Sequence, residues 1–269
     1  MDWWLIPAAI LLIILIILFP VILVGIAIFL ALWALMLLFN AIIPPKPYLS
    51  LDGEGLRINW FAKGDVESSV QVLKDGKVIG TYCSETTVKN ALTGKYAIST
   101  TLITGLEPGK RYNYQVVKNG TNTRKERVIY KGKNLWFSFP SKDYINKPVK
   151  IVAFGDVQPR RTIPPLLQYL ITRKIEGDPY DLVLYFGDHT MQGVELMAWI
   201  WHFRLLGKII SHTPILGVAG NHDISRKKNV EGLTVLDAYQ TFLNYPGNKR
   251  YYFARFRGIN IFALDFMMG

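Results

Sequence analysis

Three short stretches of this sequence place carboxylate, amide and imidazole side chains directly after an apolar run. These side chains are Asp156 and Gln158 in the first stretch, Asp188 in the second, and Asn221, His222 and Asp223 in the third. One Gly-Asp after a strand is more often a turn or a helix cap, but three such stretches in this order are more specific. Acidic oxygens that converge without a neighbouring cationic side chain repel one another unless a metal ion binds them. The pattern therefore predicts a divalent metal site.

The segments around these stretches alternate between strand and helix patterns. A continuous apolar run precedes each stretch, and helix-like segments at 162–176 and 194–210 separate the runs. The order strand, helix, strand, helix, strand predicts a parallel sheet with right-handed crossovers. The loops at the carboxyl ends of such strands share one edge. We therefore expect an α/β domain over 148–269 in which the three stretches meet.

The segment 48–140 has short strand patterns and no convincing helix. Asp75-Gly76 and Asn119-Gly120 favour tight hairpin turns, and the strand spacing predicts a β-sandwich of about 90 residues. Trp60 and the stretch 104–117 resemble a fibronectin type III domain. Its tyrosine-corner motif would fall on Leu106, Pro108, Gly109, Tyr112 and Tyr114. The resemblance implies a spacer or docking module without chemistry of its own.

Residues 3–39 carry no charged side chain, and tryptophan indoles are their only hydrogen-bonding side chains. Apolar runs above about 18 residues are typical of membrane-spanning helices. We expect a transmembrane segment over 1–43, as one helix kinked near Pro20 and Gly25, with a hairpin as the alternative. A helix of this length would reach about 56 Å, well beyond the lipid core, which favours packing against partners such as further copies of the chain. The proline-rich segment 44–47 is then a stiff linker.

The net charge of +11 is spread over both halves of the rest of the chain. This charge favours anionic surfaces or substrates, and it equally fits an ordinary solvated basic surface. The lysines are scattered and no aromatic-basic motif accompanies them, so no nucleic-acid partner is expected. The single cysteine, Cys83, excludes a disulfide within the chain.

The three stretches resemble the motifs of the calcineurin-like metallophosphoesterases and, with the fibronectin-like segment before them, the purple acid phosphatases. The resemblance implies two metal ions, iron, manganese or zinc, and phosphate-ester hydrolysis by a metal-bridging hydroxide. The implied metal ligands are Asp156 and Gln158 for one ion, Asp188 bridging both ions, and Asn221 for the other. His222 would stabilise the transferring phosphoryl group or protonate the leaving oxygen, and Asp223 would orient His222. Secreted relatives suggest that the soluble part lies on the extracellular face of the membrane.

Three features depart from that family. Gln158 stands in place of a histidine, Met191 in place of a metal-binding tyrosine, and the sequence reaches Gly269 before the family's later histidines. We expect the missing ligands beyond residue 269; the alternative is a catalytically incomplete, membrane-anchored interaction protein that assembles through its helix and β-sandwich. The predicted fold class is α+β multidomain: a transmembrane helix, a fibronectin III-like β-sandwich, and an α/β metallophosphoesterase sandwich incomplete at its C-terminus.

Overall fold

The computed structural model divides the chain into two compact units, Met1–Pro44 and Pro45–Gly269. The residues that the structure describes are 14, 16, 18–31, 33–34, 45–53, 55–63, 67–91, 94–119, 127–132, 135–140, 148–158, 166–176, 180–191, 193–194, 196–224 and 234–265.

The first unit contains helical backbone that is described without a break over residues 18–31. No helix among the described residues has the length and apolar character needed to cross a membrane. The prediction of a transmembrane segment over 1–43, and the membrane localisation that followed from it, is therefore corrected. The backbone is helical at both Pro20 and Gly25, so the alternative hairpin does not turn there.

The second unit combines strands with helices that follow the predicted alternation near its C-terminal end. The strands are β1 (Tyr48–Asp52), β2 (Gly55–Lys63), β3 (Ser68–Lys74), β4 (Lys77–Cys83), β5 (Glu85–Ala91), β6 (Gly94–Ile103), β7 (Arg111–Lys118), β8 (Arg127–Tyr130), β9 (Trp136–Ser138), β10 (Ile151–Phe154), β11 (Leu182–Phe186), β12 (Ile215–Val218), β13 (Tyr252–Phe256) and β14 (Ile259–Ala263). The helices are α1 (Leu166–Ile175), α2 (Leu196–Ile210) and α3 (Val235–Phe242).

One seven-stranded sheet, in the order β10-β11-β12-β1-β2-β6-β5, crosses the predicted boundary between the two domains. β10, β11 and β12 are parallel, as the sequence predicted. β1 is parallel to β12, with Ser50 opposite Ile215, and antiparallel to β2. The edge of β12 is thereby paired with a strand about 165 residues earlier in the chain. The fold is α/β with mixed sheets, so the predicted α+β multidomain arrangement is wrong, and the residue bounds 48–140 and 148–269 stay a prediction.

The second sheet has the order β4-β3-β7-β8, with β9 also paired to β7. The predicted hairpin between β3 and β4 forms, with φ of 52° at Asp75 and 78° at Gly76. The turn predicted at Asn119-Gly120 lies partly outside the described residues. The Tyr112 hydroxyl accepts a hydrogen bond from the Glu107 N–H at 3.2 Å, but the Tyr114 hydroxyl donates to Ser211 O, at the end of α2, at 2.7 Å. This sheet is therefore tied to the α/β part, and a separate fibronectin type III domain is not supported.

A single core joins the two parts of the second unit. Phe203 of α2 stacks on Tyr48 of β1 with ring centroids 4.4 Å apart and also contacts Phe61 of β2. Phe242 of α3 packs against both Phe61 and Trp199. These aromatic contacts hold α2 and α3 against the face of the mixed sheet, and α2 lies between the second and third chemical stretches.

A buried polar network underlies α3. The Asn59 amide donates to Ser50 Oγ at 3.2 Å and accepts from the Asn244 amide at 2.9 Å. The side-chain oxygen of Asn244 accepts a hydrogen bond from Lys249 Nζ at 2.9 Å. We call these four residues the Asn59 network.

Candidate metal centre

The carboxyl ends of β10, β11 and β12 lie side by side, which brings the three chemical stretches to one edge of the sheet. Phe154 is opposite Tyr185, and Phe186 is opposite Val218. The Asp156 N–H, just after β10, donates to Gly187 O, just after β11, at 3.3 Å. The prediction that these loops meet is confirmed.

Asp188 is the point at which the loops join. Its side chain is buried, its φ is 54°, and both of its carboxylate oxygens accept hydrogen bonds from other loops. Gln158 Nε2 donates to Oδ2 and the His222 backbone N–H donates to Oδ1, each at 3.0 Å. One carboxylate thus contacts the first and the third stretches.

Asp223 is fully buried and contacts His189, the residue after Asp188. Its carboxylate accepts the His189 backbone N–H at 3.1 and 3.2 Å and faces His189 Nδ1 at 2.9 Å. The Gly220 N–H donates to the same carboxylate at 3.0 Å. The resemblance assigned Asp223 to His222, but these contacts connect it to the opposite loop.

His222 is half-buried, and its ring contacts the backbone rather than Asp223. His222 Nδ1 lies 3.1 Å from Met191 O. A carbonyl oxygen can only accept, so Nδ1 carries the proton of this hydrogen bond. Nε2 is then the ring nitrogen that can exchange a proton with a substrate.

Glycines allow the second and third loops to approach so closely. A Cβ on Gly220 would lie 2.1 Å from Asp188 Oδ1 and 2.4 Å from Asp188 N. A Cβ on Gly187 would lie 2.8 Å from Gly220 Cα and N, and Gly187 has φ of 77°. Glycine is the residue that tolerates both this backbone conformation and this separation.

The site concentrates negative charge. Burial raises the pKa of the Asp188 carboxyl, the His222 N–H opposes this rise, and the charges of Asp223 and Asp156 add to it. Burial, followed by the charges of the same three aspartates, holds the pKa of Tyr185 well above its usual range. Tyr185 is therefore a neutral phenol beside the carboxylates. A bound cation would relieve the repulsion among them.

The described side chains fit a hard cation in the chemistry of their donor atoms. Asp156 and Asn221 are both exposed at this edge, while Asp188 and Gln158 lie deeper. Carboxylate and amide oxygens suit manganese or magnesium better than zinc. Among the described residues, no group of three or more histidine, cysteine, aspartate or glutamate side chains is placed to hold a metal ion. A second ion would need donors in addition to these four.

His189 and Tyr245 belong to the site, although the sequence named neither among the predicted metal ligands and catalytic residues. His189 is fully buried, and its Nε2 lies 3.2 Å from the Tyr245 hydroxyl. Its ring stacks on Tyr185 with centroids 4.4 Å apart. The position of His189 directly after Asp188 fits either a supporting role or an ordinary loop residue, whereas Tyr245 follows α3 and carries no local signal.

No protein-family model matches the chain, and no curated protein matches it. A solved structure, that of purple acid phosphatase PPD1 from yellow lupin (Lupinus luteus) seeds, is similar with a TM-score of 0.62 and 17% sequence identity. The similarity covers 78% of this chain and 42% of that chain, so the chain spans less than half of the length of the phosphatase. At this identity the similarity shows the fold alone. The chain therefore shares its fold with part of this phosphatase, which agrees with the fold that the sequence resemblance implied.

Proposed function

We propose that the chain is a phosphoesterase that hydrolyses phosphate esters at the edge where the three loops meet. The observation that carries the proposal is the position of Asp188, whose two carboxylate oxygens contact Gln158 of the first stretch and His222 of the third. The fold shared with a purple acid phosphatase agrees with this assignment.

The donor set indicates which residues would hold a cation. Asp156 and Asp188 supply carboxylates, and Gln158 and Asn221 supply amide oxygens. In the structure Gln158 presents its amide nitrogen to Asp188, and rotation of the amide by 180° exchanges this nitrogen with the amide oxygen. When bound, a divalent cation attracts the phosphoryl oxygens and makes water more acidic. Of the three metals predicted from the sequence, manganese suits this oxygen-rich set best. The dinuclear centre remains part of the proposal.

The protein's own residues supply proton transfer and orientation. His222 presents Nε2 to the substrate because the Met191 carbonyl holds Nδ1. A protonated Nε2 donates to a phosphoryl oxygen or to the leaving oxygen, so it stabilises the charge that develops there. Asp223 acts indirectly: its carboxylate accepts hydrogen bonds from the backbone N–H groups of His189 and Gly220 and so orients the two loops.

The substitution Asp188→Asn tests the proposal, with Asp75→Asn as a matched control. Both changes replace a carboxylate by an amide at a residue with positive φ, 54° at Asp188 and 52° at Asp75. Asparagine tolerates this conformation, so neither change should strain the backbone. Asp75 lies in the β3–β4 hairpin turn and contributes nothing to the site.

The measurements are manganese binding by calorimetry and hydrolysis of p-nitrophenyl phosphate and bis(p-nitrophenyl) phosphate by the full chain with added manganese. We expect hydrolysis by the parent protein and by Asp75→Asn, and a loss of at least 100-fold in Asp188→Asn. Hydrolysis that survives in Asp188→Asn would place the activity elsewhere. A parent protein without hydrolysis of either ester would reject the proposal and favour an interaction protein built on a phosphoesterase fold.

A further inference from the structure

The second and third loops are joined by a reciprocal pair of hydrogen bonds. Asp188 accepts from the backbone N–H of His222, which precedes Asp223, at 3.0 Å. Asp223 accepts from the backbone N–H of His189, which follows Asp188, at 3.1 Å. Each carboxylate therefore binds the backbone beside the other carboxylate, and neither loop can move without breaking a contact to the other.

The His189 side chain extends this pair into the core. Its Nδ1 faces Asp223 at 2.9 Å and its Nε2 faces the Tyr245 hydroxyl at 3.2 Å. Asp223 as a carboxylate can only accept, so Nδ1 donates and, in the neutral ring, Nε2 accepts from the tyrosine. Burial holds the pKa of Tyr245 well above its usual range, which keeps its hydroxyl as a donor. All of the donors and acceptors in this chain of contacts are thereby matched.

We propose that the Asp223–His189–Tyr245 network positions the Asp188 loop against the Asn221–His222 loop at the separation that cation and phosphate ester require. This inference rests on the proposed phosphoesterase function, which it extends to residues that do not touch the substrate. His189, Asp223 and Tyr245 are positioning residues in this scheme.

Stability alone gives a poor account of the network. The three side chains lie among aromatic rings, His189 stacking on Tyr185 and meeting Tyr239 edge-on with centroids 5.6 Å apart. Apolar side chains of similar shape in place of both partners of a buried hydrogen bond can leave stability nearly unchanged or increase it. Apolar side chains cannot accept hydrogen bonds from the His189 and Gly220 N–H groups, so they cannot determine where the loops lie. Directional contacts are the property that distinguishes a positioning network from core packing.

Two tyrosine-to-phenylalanine substitutions separate these roles. Tyr245→Phe removes the hydroxyl that donates to His189, whereas Tyr239→Phe removes a buried hydroxyl that donates to Lys249 O at 3.3 Å. Both tyrosine rings lie beside the His189 ring, with centroids 5.6 Å away for Tyr239 and 6.2 Å for Tyr245, so each variant loses one hydroxyl from the same aromatic cluster. Only Tyr245→Phe interrupts the network.

Three readouts on the full chain test the inference. The first is amide hydrogen exchange at His189 and His222 without metal, which we expect to be at least 10-fold faster in Tyr245→Phe and unchanged in Tyr239→Phe. The second is manganese affinity by calorimetry, expected to fall about 10-fold in Tyr245→Phe only, within the range known for residues that support metal ligands. The third is the kinetics of p-nitrophenyl phosphate hydrolysis, in which we expect kcat to change by a larger factor than KM.

The outcomes distinguish the two proposals. Equal exchange at both amides in the two variants overturns the positioning network, whatever the activity. A second outcome is faster exchange in Tyr245→Phe together with a parent protein that neither binds manganese nor hydrolyses the ester. This outcome rejects the phosphoesterase proposal and leaves the network with the role of holding the loops. If Tyr245→Phe does not fold, His189→Asn gives the same comparison, since the asparagine amide nitrogen takes the position of Nδ1, the donor to Asp223, and the shorter side chain has no acceptor at the position of Nε2.

Discussion

Alanine at position 220 would disrupt the contact between the second and third loops more directly than any change to a polar side chain. A Cβ at this position would lie 2.1 Å from Asp188 Oδ1 and 2.4 Å from Asp188 N. The second of these atoms belongs to the backbone, so rotation of the Asp188 side chain cannot relieve the overlap. The loop after β11 must move by about 1 Å to reach ordinary van der Waals contact.

The expected cost follows from two separate losses. Overpacking in a tightly packed region costs about 1–3 kcal/mol. Movement of Asp188 also breaks the hydrogen bond from the His222 N–H, and a hydrogen bond to a charged group contributes about 1.5–3 kcal/mol. We therefore expect Gly220→Ala to lower the free energy of unfolding by about 3–5 kcal/mol, a large part of the stability of an ordinary domain.

Gly132→Ala is the matched control, because a Cβ at Gly132 would meet no atom within 4 Å. The same chemical change there should range from no effect to about 1 kcal/mol of stabilisation, since alanine restricts the unfolded chain. Urea unfolding of the full chain, followed by tryptophan fluorescence with a chelator present, measures both variants without a metal contribution. Equal unfolding midpoints for Gly220→Ala and Gly132→Ala would refute the close approach of the loops.

Two further predictions concern the rest of the second unit. Burial, with the nearby charges of Lys46 and Arg111, lowers the pKa of His212 in the folded chain. The unfolded chain therefore takes up more protons than the folded chain as the pH falls through about 6.5. Stability should be fully present above about pH 7 and decline towards pH 5. Urea titrations at both pH values should show a smaller decline in His212→Phe than in the parent protein, and an equal decline would contradict this role. Asn59→Leu should lower the free energy of unfolding by about 2–4 kcal/mol, because it removes the acceptor of the buried Asn244 side-chain N–H and the donor to Ser50 Oγ. Exposed Asn260→Leu is its control, expected to stay within about 0.5 kcal/mol, and similar values for the two would show that the network contributes little.

Local patterns in the sequence were sufficient to predict the elements that carry the site. The helix-like segments 162–176 and 194–210 correspond to α1 (Leu166–Ile175) and α2 (Leu196–Ile210), and the apolar runs between them form parallel strands. Such elements depend on periodicity and on turn residues within about 20 neighbouring positions. The meeting of the three loops then follows from the geometry of parallel sheets.

Pairings between distant segments were not accessible in the same way. The sequence predicted a separate β-sandwich over 48–140 because its strands and turns are locally complete. In the structure β1 pairs with β12, Ser50 opposite Ile215, and this pairing makes one mixed sheet of the two parts. Nothing in the composition of either strand specifies the other, because any apolar strand can satisfy a free edge.

The partner of Asp223 shows how adjacency in sequence can mislead an assignment. His222 and Asp223 are consecutive, which makes an interaction between their side chains the obvious expectation. In the structure Gly187 and Gly220 bring two loops so close that the backbone N–H of His189 is available to the Asp223 carboxylate, and the His189 ring adds a second donor. A buried carboxylate requires several donors, and the facing loop supplies more of them than the neighbouring imidazole could. Donor supply across the loop junction, rather than proximity along the chain, therefore decides which residue Asp223 orients.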